Sequence, residues 1–264
     1  MQENLNPIGF FDSGVGGTSI WKAVHELLPM EGTLYVADSA NAPYGERSPE
    51  EIVALSVKNT DFLLSKGAKL IVVACNTATT NAIAALRERY EVPFVGIEPA
   101  IKPAALNSKT GKVGLLATKG TLGSDLFHKT ALENTAGVKI IQQEGRGLVS
   151  LIEAGFADGD EAFQLLEAYL QPMLENDIDA LVLGCTHYPY LLPLLRKILP
   201  PHITIIDAAK AVAKQTQKLL GAHELLAPTT AVPRHDFYTN KEAAILKRFL
   251  PIELASQVLF SSEF

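Results

Sequence analysis

Cys75 and Cys185 are the two cysteines of a 264-residue chain, and each follows an aliphatic run, LIVVA before the first and ALVLG before the second. A thiol placed where a buried strand gives way to a helix can accept and return a proton. The partial positive charge of the helix N-terminus favours thiolate and lowers a pKa otherwise near about 8.5. Cys185 has, in addition, His187 two residues on. Taken singly, either cysteine reads equally as a small buried hydrophobe; it is the matching placement of the pair that favours chemistry. A disulfide would require Cα atoms within about 7 Å and an oxidising compartment. A zinc site from Cys75, Cys185 and His187 has acceptable ligand types, but no Cys-x-x-Cys or His-x-x-x-His spacing supports it, and no metal is expected.

Other strand ends carry polar groups. The loop DSGVGGTS, Asp12 to Ser19, follows the apolar run IGFF and opens a helix. Its glycines could let backbone N–H groups approach an anionic group such as a carboxylate. The spacing is neither Gly-x-Gly-x-x-Gly nor a Walker loop, which leaves a phosphate- or nucleotide-binding α/β protein as the alternative from another class. Asp12 itself either caps the turn or serves the site. Asp38 ends the run TLYVA, and Pro43-Tyr44-Gly45 forms a turn beyond it. Of six histidines only His187 falls in a motif; His25, His128, His202, His223 and His235 read as packing or solvent-facing residues. No lysine is marked as a Schiff-base partner for pyridoxal phosphate, and no cofactor is expected.

The elements that must position these groups alternate. Short runs (IGFF, TLYVA, LIVVA, PFVGI, KVGLLA, VKIIQ, ALVLG, ITIID) are separated by longer amphipathic stretches, the pattern of βαβ units and an α/β fold with largely parallel sheets. Ser48, Pro49 and Glu51 make a capping box for a helix that ends before Gly67; Asp158 with Glu161 reads the same way for a helix over 159–175. After Cys75, Ala78, Ala82, Ala85 and Leu86 share one helical face. The segment from Leu70 (LIVVACNTATT) aligns with that from Ala180 (ALVLGCTHYPY), 110 residues apart, placing Cys75 on Cys185, Asn76 on Thr186 and Thr77 on His187. A fainter match sets IGFFDSG on VGLLATK. Two related α/β halves with facing strand-end loops would bring the thiols to one ligand, since ligands of parallel sheets bind beyond the carboxyl ends of strands.

With 47% hydrophobic residues the chain can fill one large core or two small ones. A net charge of −6 provides no basic field for nucleic acid or anionic membrane. The first twelve residues lack the pattern of a secretory signal, and no apolar run approaches the ~20 residues of a membrane span. The expected partner is a small molecule and the expected compartment is the cytoplasm.

FDSGVGGTS, APYGERS, ACNTATT and GCTHYP, in this order, closely resemble the cofactor-independent aspartate/glutamate racemases, over nearly the whole chain. The resemblance implies two pseudo-symmetric α/β domains, residues 1–97 with 208–264 and residues 98–207, and an active site in the cleft between them. It implies interconversion of L- and D-glutamate, with aspartate as the alternative, and supply of D-glutamate for peptidoglycan. Cys75 would exchange the α-proton of D-glutamate and Cys185 that of L-glutamate, assisted by Asp12 and His187 respectively, with Asp38 and Glu153 as further acidic positions. Asp12, Ser13, Tyr44, Gly45, Asn76, Thr77, Thr186 and His187 would hold the amino acid, with Thr118 and Thr121 contributing. Members of the family assemble in different ways; a homodimer is expected here.

Overall fold

The computed structural model describes residues 3–134 and 137–264. All eight runs read as strands form strands: β1 (Ile8–Asp12), β2 (Thr33–Ala37), β3 (Leu70–Val73), β4 (Phe94–Gly96), β5 (Lys112–Ala117), β6 (Lys139–Glu144), β7 (Ala180–Gly184) and β8 (Thr204–Ile206). Two more, β9 (His235–Thr239) and β10 (Val258–Phe260), come from the C-terminal segment. They make two sheets, ordered β10-β9-β2-β1-β3-β4 and β6-β5-β7-β8, in which every pairing is parallel. The order β2-β1-β3-β4 recurs as β6-β5-β7-β8, so the internal repeat extends to topology. β9 and β10 extend only the first sheet, beyond β2.

Both faces of the central strands are covered, as helical crossovers require. On the first sheet Phe10, Tyr35 and Val72 pack into one cluster with Trp21, while their neighbours Phe11, Val36 and Val73 pack into another with Phe62 and Phe264. The first cluster runs on into the second half through Leu183, Tyr188 and Leu195, and a third fills the opposite face of β5 and β7.

The helix Pro49–Ser65 has the full capping box, with Ser48 Oγ accepting from Glu51 N–H and Glu51 accepting from Ser48 N–H. The second capping expectation fails. The helix Asp160–Glu175 has Gly159 at its N-cap and no side-chain cap, so Asp158 stands outside and Asp160 with Glu161 occupy the first turn, where carboxylates meet the helix dipole. In the helix Asn76–Arg89, Ala78, Ala82 and Leu86 are fully buried and Ala85 only partly; Ile83 joins the buried face. Among the described residues no helix is long and apolar enough to cross a membrane.

Candidate active site

The carboxyl ends of β1, β2, β3 and β7 converge where the two sheets face each other. Asp12 ends β1, Asp38 follows β2, Cys75 lies two residues beyond β3 and Cys185 directly follows β7. Both cysteines are free thiols, 4% and 7% exposed, so the site is closed over them. Among the described residues no three His, Cys, Asp or Glu side chains are grouped to hold a metal ion.

Cys75 is the N-cap of the helix Asn76–Arg89. Its sulfur accepts from Ala78 N–H at 3.5 Å and donates to Ser13 Oγ at 3.8 Å. The helix-terminal contact expected from sequence is therefore present, but the lowered pKa is not. Burial and the neighbouring Asp12 carboxylate push the thiol well above its ordinary range, with the charge of Cys185 adding to them and the Ala78 amide only partly opposing. A single amide cannot offset desolvation of a fully enclosed thiolate.

Cys185 is set differently. Its turn is a 3-10 helix, Tyr188–Leu191, leading into the helix Leu192–Ile198, and its sulfur lies 3.8 Å from His187 Nδ1. The other ring nitrogen, Nε2, lies 2.6 Å from Glu153 Oε1, which assigns a hydrogen to Nε2. Burial opposes charging this imidazole, yet the Cys185 sulfur, the Glu153 carboxylate and Asp12 together hold its pKa well above the usual histidine range. Glu153 responds in the opposite sense: burial raises its pKa, but the His187 contact and the donors Val15 N–H and Ser39 Oγ hold the carboxyl below its ordinary value.

The glycine loop overturns one expectation. Its amides are occupied by the protein's own groups: Gly14 and Gly17 N–H donate to Asp12 Oδ2 at 3.2 and 2.9 Å, and Val15 N–H donates to Glu153 Oε1 at 2.6 Å. Gly16 N–H points at His187 Nε2 at 3.2 Å. The nest is real, but Asp12 and Glu153 take the amides of Gly14, Val15 and Gly17, and Gly16 N–H faces a ring nitrogen that already carries a hydrogen. Asp12 also accepts from Thr186 Oγ1 at 3.3 Å; burial raises its carboxyl, with His187 and the Gly17 amide pulling it back.

The remaining predicted residues line the same region. Tyr44 Oη donates to Asp38 Oδ2 at 2.5 Å and accepts from Asn59, and burial with the Asp38 charge pushes its phenol well up. Asp38 Oδ1 accepts from Asn41 and Asn240, the latter at the end of β9. Gly45 meets Thr118 across the cleft, where a Cβ would stand 2.9 Å from the threonine Cβ. Thr77 Oγ1 is 2.8 Å from Thr118 Oγ1 and 3.3 Å from Thr121 Oγ1. Asn76, 2% exposed, has neither side-chain oxygen nor nitrogen hydrogen-bonded. Two participants escape sequence reasoning: Ser39, a serine in a polar turn, and Asn240, a single amide in a segment not read as a strand. The five unassigned histidines include a packed pair, His25 stacked on Trp21 and edge-on to His235.

The Asp/Glu/hydantoin racemase family matches residues 16–216. Glutamate racemase of Ectopseudomonas mendocina is 46% identical over 258 residues, 97% of this chain and 98% of that one. The crystal structure of Escherichia coli glutamate racemase, in complex with L-glutamate and the activator UDP-MurNAc-Ala, superposes with a TM-score of 0.84 at 34% identity, covering 97% of each chain. That of the Francisella tularensis enzyme with D-glutamate gives 0.84 at 28% identity, covering 98% of each.

Proposed function

The chain belongs to the Asp/Glu/hydantoin racemase family and is an amino-acid racemase, and from that premise we propose that it interconverts L- and D-glutamate by proton transfer between Cys75 and Cys185 across one α-carbon. The observation that carries this reading beyond the family is Asn76. A buried carboxamide with all its hydrogen-bonding capacity unused, beside one of two opposed thiols, is costly unless a polar ligand completes it. An amino acid between the sulfurs does so.

In this mechanism one sulfur, as thiolate, takes the α-proton from one face while the other, as thiol, delivers a proton to the opposite face. Cys75 serves D-glutamate and Cys185 L-glutamate. The substrate's α-ammonium adds a positive charge next to Asp12, which opposes the rise that burial and Asp12 impose on Cys75 and favours the thiolate. Negative charge developing toward the α-carboxylate is met by the hydroxyls of Ser13, Thr77 and Thr186 and by the Asn76 amide. The amides of Gly14, Val15 and Gly17 are already engaged by Asp12 and Glu153. Tyr44, Gly45, Thr118 and Thr121 close the far side. A positioned acid or base contributes on the order of 10²–10⁴-fold, so enclosure and preorganised donors supply the rest.

On this reading residues 1–97 with 208–264 and residues 98–207 clasp the substrate as two units. The product is D-glutamate for peptidoglycan, made in the cytoplasm by a homodimer. The test is circular dichroism of a panel of amino acids incubated with the protein and no added pyridoxal phosphate. Loss of optical activity is expected for either glutamate enantiomer. Activity on aspartate alone would move the substrate to the sister racemases, and activity on neither would refute the reading.

A further inference from the structure

Glu153 does more than face His187. It ends the short helix Leu148–Glu153 in the half built on the four-stranded sheet, yet its other partners lie in the opposite half. Oε1 accepts from Val15 N–H at 2.6 Å, in the loop after β1, and Oε2 accepts from Ser39 Oγ at 3.0 Å, in the loop after β2. A Cβ on Gly14 would stand 1.9 Å from Glu153 Oε1, and one on Gly16 would stand 2.2 Å from His187 Nδ1. The loop is therefore shaped to receive a carboxylate and an imidazole from the other half. Separating the halves would remove both of those donors and leave His187 as the hydrogen-bond partner of Glu153.

We propose that the Val15 amide and the Ser39 hydroxyl form a closure seat for Glu153, so that joining the two halves fixes the Glu153–His187 charge pair and sets the His187 ring against Cys185. Ser39 is then a positioning residue, acting on the thiol through Glu153 and His187. The inference rests on the proposed role of His187 beside Cys185. It explains why the loop is rich in glycine while its Gly14, Val15 and Gly17 amides are turned to the protein's own carboxylates, and why a carboxylate that does not touch the thiol lies at the junction of the halves.

The charged and titratable groups around Glu153 are His187, Asp12 and the Tyr35 phenol, with Lys241 lining the same cavity of about 290 Å³ at its outer side. The pair is ionised between the Glu153 and His187 pKa values. Removing the Ser39 donor weakens the carboxylate's charged form, which moves the acid limb of a pH–rate profile to higher pH. Without its seat the carboxylate is also free to move off His187 Nε2, and the looser contact supports imidazolium less, which moves the alkaline limb to lower pH.

The experiment compares the full chain with its Ser39→Ala and Gly14→Ala variants in glutamate racemisation from about pH 5 to 10, with circular dichroism reporting the fold of each. For Ser39→Ala we expect KM to rise about tenfold, because substrate must now drive closure, with kcat changed less than about threefold and both limbs drawn inward. Gly14→Ala, which drives a methyl into the carboxylate, should lower kcat/KM more than about 100-fold. Unmoved limbs with unchanged KM in Ser39→Ala overturn the proposal, as does a fall in kcat with both limbs in place. If Gly14→Ala fails to fold, Ser39→Ala decides. An inactive unmodified chain would instead count against the racemase reading itself.

Discussion

The two cysteine turns occupy equivalent places in two halves of the same topology, but they are built from different bonds. At Cys75 the chain enters an α-helix: Thr79 N–H donates to the Cys75 carbonyl at 2.9 Å, which leaves Ala78 N–H free to reach the sulfur. At Cys185 the residue equivalent to Thr79 is Pro189, which has no N–H. Tyr188, the equivalent of Ala78, donates to the Cys185 carbonyl instead, at 3.1 Å, and the turn tightens to 3-10. The amide that serves one sulfur is spent on the backbone at the other, and an imidazole stands in its place. A repeat can thus keep two thiols while assigning each a different support, one that does not titrate and one that does.

The largest effects come from removing either thiol. Cys75→Ser and Cys185→Ser should each lower racemisation by about 10²–10⁴-fold or more with the far-ultraviolet circular dichroism unchanged. In deuterated water the two variants should differ. Cys75→Ser should exchange the α-hydrogen of L-glutamate but not of D-glutamate, and Cys185→Ser the reverse. Equal exchange of both enantiomers by either variant would break the assignment of one face to each sulfur.

What sequence made legible follows from range. Strands β1, β2, β3 and β7 are apolar runs buried along their whole length, and the repeat joins Cys75 to Cys185 by equivalence of position. β9 (HDFYT) buries only alternate residues, so no apolar run announces it, and the apolar stretch of β10 is only the three residues VLF. The glycine loop is recognisable as a nest, but not its occupant: Glu153 lies 138 residues from Val15, and only the family resemblance, which gives it no partner, marks its carboxylate in the segment LVSLIEAG. Asp158 misleads because Gly159 takes the cap position and two acids follow it. Local chemistry is readable where a group serves its own turn and hidden where it serves the opposite half.

The titrating support should be visible in stability. Glu153 is held below the ordinary carboxyl range, so its contribution is present above about pH 4.3 and lost as pH falls through its folded value. His187 is held above the ordinary range, so its contribution is complete below about pH 6.5 and lost as pH rises through its folded value. The difference in Tm between the unmodified chain and Glu153→Gln should therefore be widest between about pH 4.3 and 6.5 and narrow on both sides. A difference independent of pH would mean that the pair is not ionised in the fold.

The smallest expected effect bears on the comparison most directly. Pro189→Ala restores an N–H that can donate to the Cys185 carbonyl, freeing Tyr188 N–H to turn toward the sulfur as Ala78 does at Cys75. Loss of the proline's rigidity should cost about 0.4–1 kcal/mol, or about 1–3 °C in Tm. Racemisation should fall by less than about tenfold, because His187 still faces the thiol. The informative quantity is the coupling with His187→Gln. If Pro189 is what denies Cys185 an amide, Pro189→Ala should relieve part of the loss caused by His187→Gln, and the double variant should be more active than the product of the two single effects predicts. Strict additivity would mean that the imidazole supplies something an amide cannot, namely a charge that moves with the proton, and that the proline shapes the backbone without having determined which group supports the thiol.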